Sequence, residues 1–180
     1  MAFLKSEETQ CPTSLELTFV RERSGADAVQ AAALAAQTGA GAVMPLAGTA
    51  QVKGADDQTW AYVAFNLVSG FNRLTTPEGA DFVLCRRPAD EVAKLADLLD
   101  QFAAKKIERV LFEPSEPSFE ISLERTSRGG IKVEAWLDAG NATTAIYTWD
   151  AAGIRFYTTD AHVVSFTREL RSEFQIASAP

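Results

Sequence analysis

The sequence predicts an α+β fold: a meandering antiparallel sheet, or two, with two principal amphipathic helices against one face. Most of the chain alternates apolar and polar residues with a period of two, as strands do. Two segments instead repeat their apolar residues at helical spacing. Turn residues fall between successive strands, and connections this short join antiparallel neighbours.

The predicted strands alternate in hydrophobicity and are rich in β-branched and aromatic residues. They cover residues 15–20, 47–52, 60–68, 107–113, 119–125, 131–138 and 143–149, and two shorter strands at 81–85 and 154–157 each precede a helix. Turn residues separate them at 114–117 (Pro-Ser-Glu-Pro), 128–130 (Arg-Gly-Gly), 138–141 (Asp-Ala-Gly-Asn) and 150–153 (Asp-Ala-Ala-Gly). Such residues are typical of hairpin connections.

The first helix is predicted to begin at Pro88, because proline is favoured at the first helical position and acidic residues follow it. Its apolar stripe is Val92, Leu95, Leu99 and Phe102, and the lysines at 105–106 suit its C-terminal end. The second helix is predicted from Thr159 and Asp160 to about Phe174, and its stripe is Val163, Phe166, Leu170 and Phe174. A third, shorter helix of small residues is predicted at 27–37.

The order of strands followed by one helix occurs twice, which indicates an internal strand-strand-helix duplication. We expect one domain over 1–180, with pseudo-repeat halves at about 12–105 and 107–175. An uncharged segment rich in alanine and glycine lies at 28–52, inside the first half. It contains too few large apolar side chains for a membrane span, and its role stays open.

Composition excludes several functional classes. The chain has 180 residues with a formal charge of −7, a pI near 4.8, two cysteines and one histidine. The acidity disfavours nucleic-acid binding, which needs a basic face, and two distant cysteines make neither a disulfide scaffold nor a zinc knuckle. The N-terminal residues do not form a secretory signal, so we expect a cytoplasmic protein that does not associate with membranes.

No catalytic constellation is predicted. His162 lies in the first turn of the second helix, where a neutral or capping histidine is the ordinary interpretation. Glu120 and Glu124 lie four residues apart on one strand, about 13 Å, which is too far for a paired acid and base. Asp56 and Asp57 lack further ligands for a cation, and Cys85 is interpreted as a small structural residue. We therefore nominate no catalytic residue, metal ligand or cofactor.

Strand alternation nominates one candidate partner-binding surface. At 119–125 the polar side carries Glu120 and Glu124, and at 131–138 it carries Glu134 and Trp136. An indole on a charged acidic face would suit a basic protein partner, because aromatic anchors and complementary charge recur at interfaces. The alternative is that Trp136 packs under a loop or against the sheet.

Residues 56–174 resemble the WapI-type immunity proteins of bacterial polymorphic-toxin systems. The resemblance is carried by DQTWAYV at 57–63, FVL at 82–84, LLDQF at 98–102, VLFEPSEPSFEISL at 110–123, the glycine turn at 129–130, IKVE at 131–134, FYTTD at 156–160 and LRSEF at 170–174. It implies a non-enzymatic protein that binds and neutralises a toxin domain, expected to be basic. The alternative is a small-molecule-binding or structural α+β domain, which predicts a concave apolar pocket.

Overall fold

The structure is a computed structural model that describes residues 1–24, 59–75, 84–86, 88–114, 119–138 and 150–175. The predicted helix at 27–37, the strands at 47–52 and 143–149, the segment 28–52 and the aspartates at 56 and 57 lie wholly or largely outside these ranges. The described residues form two antiparallel sheets and two helices. This confirms the predicted α+β class.

The first sheet has five strands. They are β1 (Ala2–Lys5), β2 (Thr13–Ser24), β3 (Thr59–Ser69), β4 (Asn72–Thr75) and β5 (Leu84–Arg86). The order is β1-β2-β3-β4, and β5 pairs with the other end of β3, at Trp60 to Tyr62. Strands β1 and β4 were not predicted, because a four-residue strand shows too few apolar and polar alternations to be recognised.

The second sheet is a four-stranded meander. Its strands are β6 (Arg109–Phe112), β7 (Phe119–Arg125), β8 (Ile131–Asp138) and β9 (Ala151–Thr158), in sequence order across the sheet. The predicted bounds of β7 and β8 are correct, whereas β6 is shorter than the predicted 107–113 and β9 longer than 154–157. Strands β6 to β9 pair with their neighbours in the chain, so local alternation suffices to predict them.

Helix α1 (Pro88–Ala103) follows the first sheet and helix α2 (Asp160–Glu173) follows the second. Helix α1 ends before the predicted lysines, because Lys105 adopts a φ of 58°. Its N–H bonds to the Phe102 carbonyl, and the Lys106 N–H bonds to that of Gln101, which forms a Schellman-type end. Helix α2 begins at the predicted place, where the Thr159 hydroxyl caps the N–H of His162.

One hydrophobic core joins the two sheets and both helices. The inner faces of the two sheets meet where the rings of Phe65 and Phe119 lie 4.9 Å apart, and the stripes of both helices are buried in the same cluster. Each half of the chain is thus an antiparallel sheet followed by a helix, consistent with the predicted duplication. Neither sheet-and-helix unit buries its apolar surface alone.

Two buried arginines connect the halves along what we call the seam. Arg171 on α2 donates to Asp97 at 2.7 Å and to Asp100 at 2.8 Å on α1. The hydrogen bond that Arg171 donates to Asp97 is the main reason why the pKa of Arg171 is raised. Arg125 on β7 donates to both carboxylate oxygens of Asp160 and to the Phe102 carbonyl at 2.7 Å. Its guanidinium carbon lies 4.5 Å from the Phe102 ring centre.

Side chains of helix α2 and of the end of β9 cover the outer edge of β1. The Phe3 N–H donates to Glu169 at 2.8 Å, and the Lys5 carbonyl accepts the Thr158 hydroxyl at 2.5 Å. The Nδ1 atom of His162 lies 3.1 Å from the same carbonyl. An edge strand otherwise offers free backbone groups to other chains, so these side chains close one route to aggregation.

Candidate partner-binding site

The four nominated residues share one side of the second sheet, which we call the outer face. Cross-strand pairing in register places residues of the four strands in rows on this side. The outer face consists of Arg109, Leu111, Glu120, Ser122, Glu124, Lys132, Glu134, Trp136, Asp138, Ala151, Gly153, Arg155 and Tyr157. The strand alternation therefore predicted correctly that Glu120, Glu124, Glu134 and Trp136 lie together.

Ion pairs offset much of the acidic charge on the outer face. Glu124 pairs with Lys132 at 2.8 Å, and Glu134 pairs with Arg155 at 2.6 Å and with Lys132 at 3.9 Å. Arg109 lies opposite Glu124 on the neighbouring strand. Alternation in one strand shows its acidic residues, but it does not show which cations the adjacent strands place beside them.

The Glu124 and Lys132 pair changes the titration of both groups. The hydrogen bond from Lys132 lowers the pKa of Glu124 from its ordinary value of 4.5, and the attraction of Arg109 acts in the same direction. The hydrogen bond to Glu124 raises the pKa of Lys132 above its ordinary value of 10.5. Each group thus keeps its charge over a wider pH range than it does alone.

Trp136 is half-buried and has a structural partner, which agrees with the packing alternative. It lies directly opposite Gly153 on β9. A Cβ atom at Gly153 would lie 2.6 Å from the Cε3 atom of this indole and 2.3 Å from the Ala135 carbonyl oxygen. The indole therefore packs on the backbone of β9 at a position where there is room only for glycine. Only part of its surface is left for a partner.

Three residues of the outer face are better placed for contact with a partner. The side chains of Leu111 and Tyr157 are 54% and 56% exposed, at opposite edges of the sheet. Glu120 has no ion pair among the described residues, unlike the other two glutamates. Leu111 was not predicted to be exposed, because it lies in the apolar run Val110-Leu111-Phe112, where the alternation is hidden. Tyr157 was not predicted either, because that residue lies between two buried neighbours.

His162 has a structural role. Its backbone N–H is capped by Thr159, and its Nδ1 atom approaches the Lys5 carbonyl and, at 3.4 Å, the Thr158 hydroxyl. A carbonyl oxygen only accepts hydrogen bonds, so Nδ1 carries the proton toward it. In the part of the chain that the structure describes, no three histidine, cysteine or carboxylate side chains come together as metal ligands.

An open cleft lies beside the outer face. It has a volume of about 760 Å³ and is lined by the turn after β7, the end of β9, the start of α2 and Glu7. Its lining includes Arg128, Asp160 and Tyr157, so polar and apolar groups line it in nearly equal measure. A small-molecule pocket is mostly apolar and enclosed, which this cleft is not.

Among the described residues, neither α1 nor α2 is long and apolar enough to cross a membrane. Comparison of the chain with protein-family models, with curated proteins and with solved structures finds no match.

Proposed function

We propose that this chain is a non-enzymatic, immunity-type protein that binds and neutralises a toxin domain. The observation that carries the proposal is the outer face: a four-stranded surface with exposed Leu111 and Tyr157 at its edges and with Glu120, which forms no ion pair with the other described residues. A neutralising protein needs a complementary surface and no chemistry of its own. The resemblance of residues 56–174 to WapI-type immunity proteins agrees with this role.

The charge of the whole chain still favours a basic partner. With a formal charge of −7, the protein attracts a basic domain at long range and speeds their encounter. Near contact, the balanced ion pairs of the outer face add little net attraction. We therefore infer that steering comes from the whole surface, and that the aromatic and aliphatic side chains supply most of the short-range affinity.

The alternative of a small-molecule-binding domain rests on the cleft beside α2. Its open, half-polar lining gives a ligand little enclosed apolar surface to bury. A protein partner at the outer face buries more area, and it can use the same Tyr157 side chain. The structure therefore favours protein binding over the alternative.

The test is to purify each toxin-like domain encoded beside this chain, in a catalytically inactive form, and to measure binding by calorimetry. We expect one domain to bind, and co-expression of this chain to rescue growth in cells that make the active domain. Tyr157→Ala is expected to weaken binding about tenfold, as expected for an aromatic interface contact. Leu111→Ala and Glu120→Gln should each have a smaller effect.

Val164→Ala is the matched control, because Val164 is an apolar residue of α2 with 52% exposure that lies outside the outer face. Trp136→Ala is a poor probe, since it also uncovers Gly153. If no neighbouring domain binds, or if all three outer-face variants bind as the control does, the proposed function is wrong.

A further inference from the structure

Phe71 is a fully exposed aromatic side chain on a rigid turn. It is the second residue of a two-residue connection between Ser69 and Asn72, which pair across β3 and β4. Gly70, the first residue, has a φ of 58°, as the tight turns of hairpins require. Its N–H is also held by the Pro12 carbonyl at 3.0 Å. The ring therefore points into water from a backbone that is already ordered.

This turn is linked to the outer face by a short path of backbone hydrogen bonds. Pro12 contacts Gly70, the next residue Thr13 pairs with Ser6, and the Glu7 N–H donates to the Tyr157 carbonyl at 3.0 Å. From the usual Cα spacings along and between strands, Phe71 and Tyr157 are at most about 26 Å apart along this path. That distance fits within one ordinary interface patch of about 800 Å² per partner.

The loop between these two aromatic residues is acidic. Glu7 and Glu8 are both exposed on it, and Glu7 lines the cleft next to Tyr157. The exposed cations Lys5 and Arg73 lie on the outward side of the first sheet, in one row across its strands. Arg128 lines the cleft on its far side. The loop itself thus has two carboxylates between two aromatic anchors, which suits a basic surface.

We propose that the partner-binding surface continues from Tyr157 across the loop of Glu7 and Glu8 to Phe71, and that Phe71 inserts into an apolar pocket of a basic partner domain. This inference rests on the proposed function and names its dominant anchor. Binding in such a pocket buries a whole aromatic ring. It costs little conformational entropy, because backbone hydrogen bonds already order the turn.

The experiment compares Phe71→Ala with the Val164→Ala control in calorimetric binding to the toxin-like domain encoded beside this chain. We expect Phe71→Ala to weaken binding about 30-fold or more, as hot-spot aromatics do, with an unchanged melting temperature. Glu7→Gln with Glu8→Gln should weaken binding several-fold at low salt and less at high salt. With a photo-crosslinking phenylalanine analogue in place of Phe71, illumination should form a covalent crosslink to the toxin-like domain.

The outcomes separate this inference from the proposed function. If Tyr157→Ala weakens binding and Phe71→Ala does not, the proposed function stands and the role of Phe71 is wrong. If no neighbouring domain binds the wild-type protein, both are wrong. If the wild-type protein sediments as a dimer and Phe71→Ala makes it a monomer, the ring packs against a second copy, which also overturns the inference.

Discussion

The seam between the two halves and the outer face of the second sheet use the same chemistry in different surroundings. At the seam, Arg125 and Arg171 reach carboxylates and a backbone carbonyl while their side chains are 14% and 9% exposed. On the outer face, Lys132 and Arg155 pair with glutamates at similar distances, but they are 28% and 62% exposed. Burial decides what such a pair contributes, because water screens the exposed pairs and competes for their hydrogen bonds.

Two kinds of interaction stabilise the outer face, ion pairs and packing. Its ion pairs are numerous and exposed, whereas the contact of Trp136 with the glycine backbone of β9 is close and partly buried. We therefore expect packing at Gly153 to matter more for stability than any charge on this face. The ion pairs keep this surface polar and accessible to solvent.

The largest expected effect is at Gly153. We expect Gly153→Ala to lower the free energy of unfolding by about 3 kcal/mol or more, because the new methyl group would overlap the Ala135 carbonyl and the Trp136 ring. Urea unfolding followed by tryptophan fluorescence measures it. Gly130→Ala is the control, since its nearest neighbour would be 3.6 Å away. Equal stability of the two variants would contradict the close contact.

The second prediction concerns Arg125. We expect Arg125→Ala to cost about 2–3 kcal/mol, because it removes hydrogen bonds to Asp160 and to the end of α1 together with the contact on the Phe102 ring. Arg125→Lys should recover less than half of this loss, since an ammonium group lacks the planar fork. Chemical denaturation gives both values. Full rescue by lysine would mean that charge alone matters at this place.

The third prediction concerns Arg171, whose two acceptors are about half exposed. We expect Arg171→Ala to cost about 2 kcal/mol, from lost packing and lost charged hydrogen bonds. Arg171→Met should cost about half as much, since it keeps the apolar part of the side chain between the helices. If methionine and alanine are equally destabilising, packing contributes nothing at this part of the seam.

The smallest effect is expected at Lys132. Lys132→Met should leave the stability at neutral pH almost unchanged, because the pair is exposed. The pKa of Glu124 should rise toward its ordinary value, which carboxyl carbon NMR measures. In the wild-type protein, the contribution of Glu124 is present above its ordinary pKa of 4.5 and is lost as the pH falls through the lowered folded value. An unchanged Glu124 titration would show that the pair does not form in solution.

Much of the second half could be predicted from local patterns. Strands β7 and β8 and helix α2 have strong periods and clear turns or caps, and their residues pair with neighbours close in the chain. The first sheet was harder, because β1 and β4 are short and β3 pairs with three other strands, β2, β4 and β5. The outer-face glutamates were found for the same local reason, since alternation alone decides which side chains share a face.

What the sequence alone determined is the class of each strong element and its buried side, because hydrophobic period is a property of neighbouring residues. Tertiary structure decided which side chains meet. Register set Lys132 beside Glu124 and placed the Trp136 ring over Gly153, and assembly of the halves brought Phe3 to Glu169, 166 residues away. Cross-strand register and long-range packing depend on how whole elements fit together, and no local spacing carries that information. The pairing of two outer-face glutamates with cations on adjacent strands is one such result.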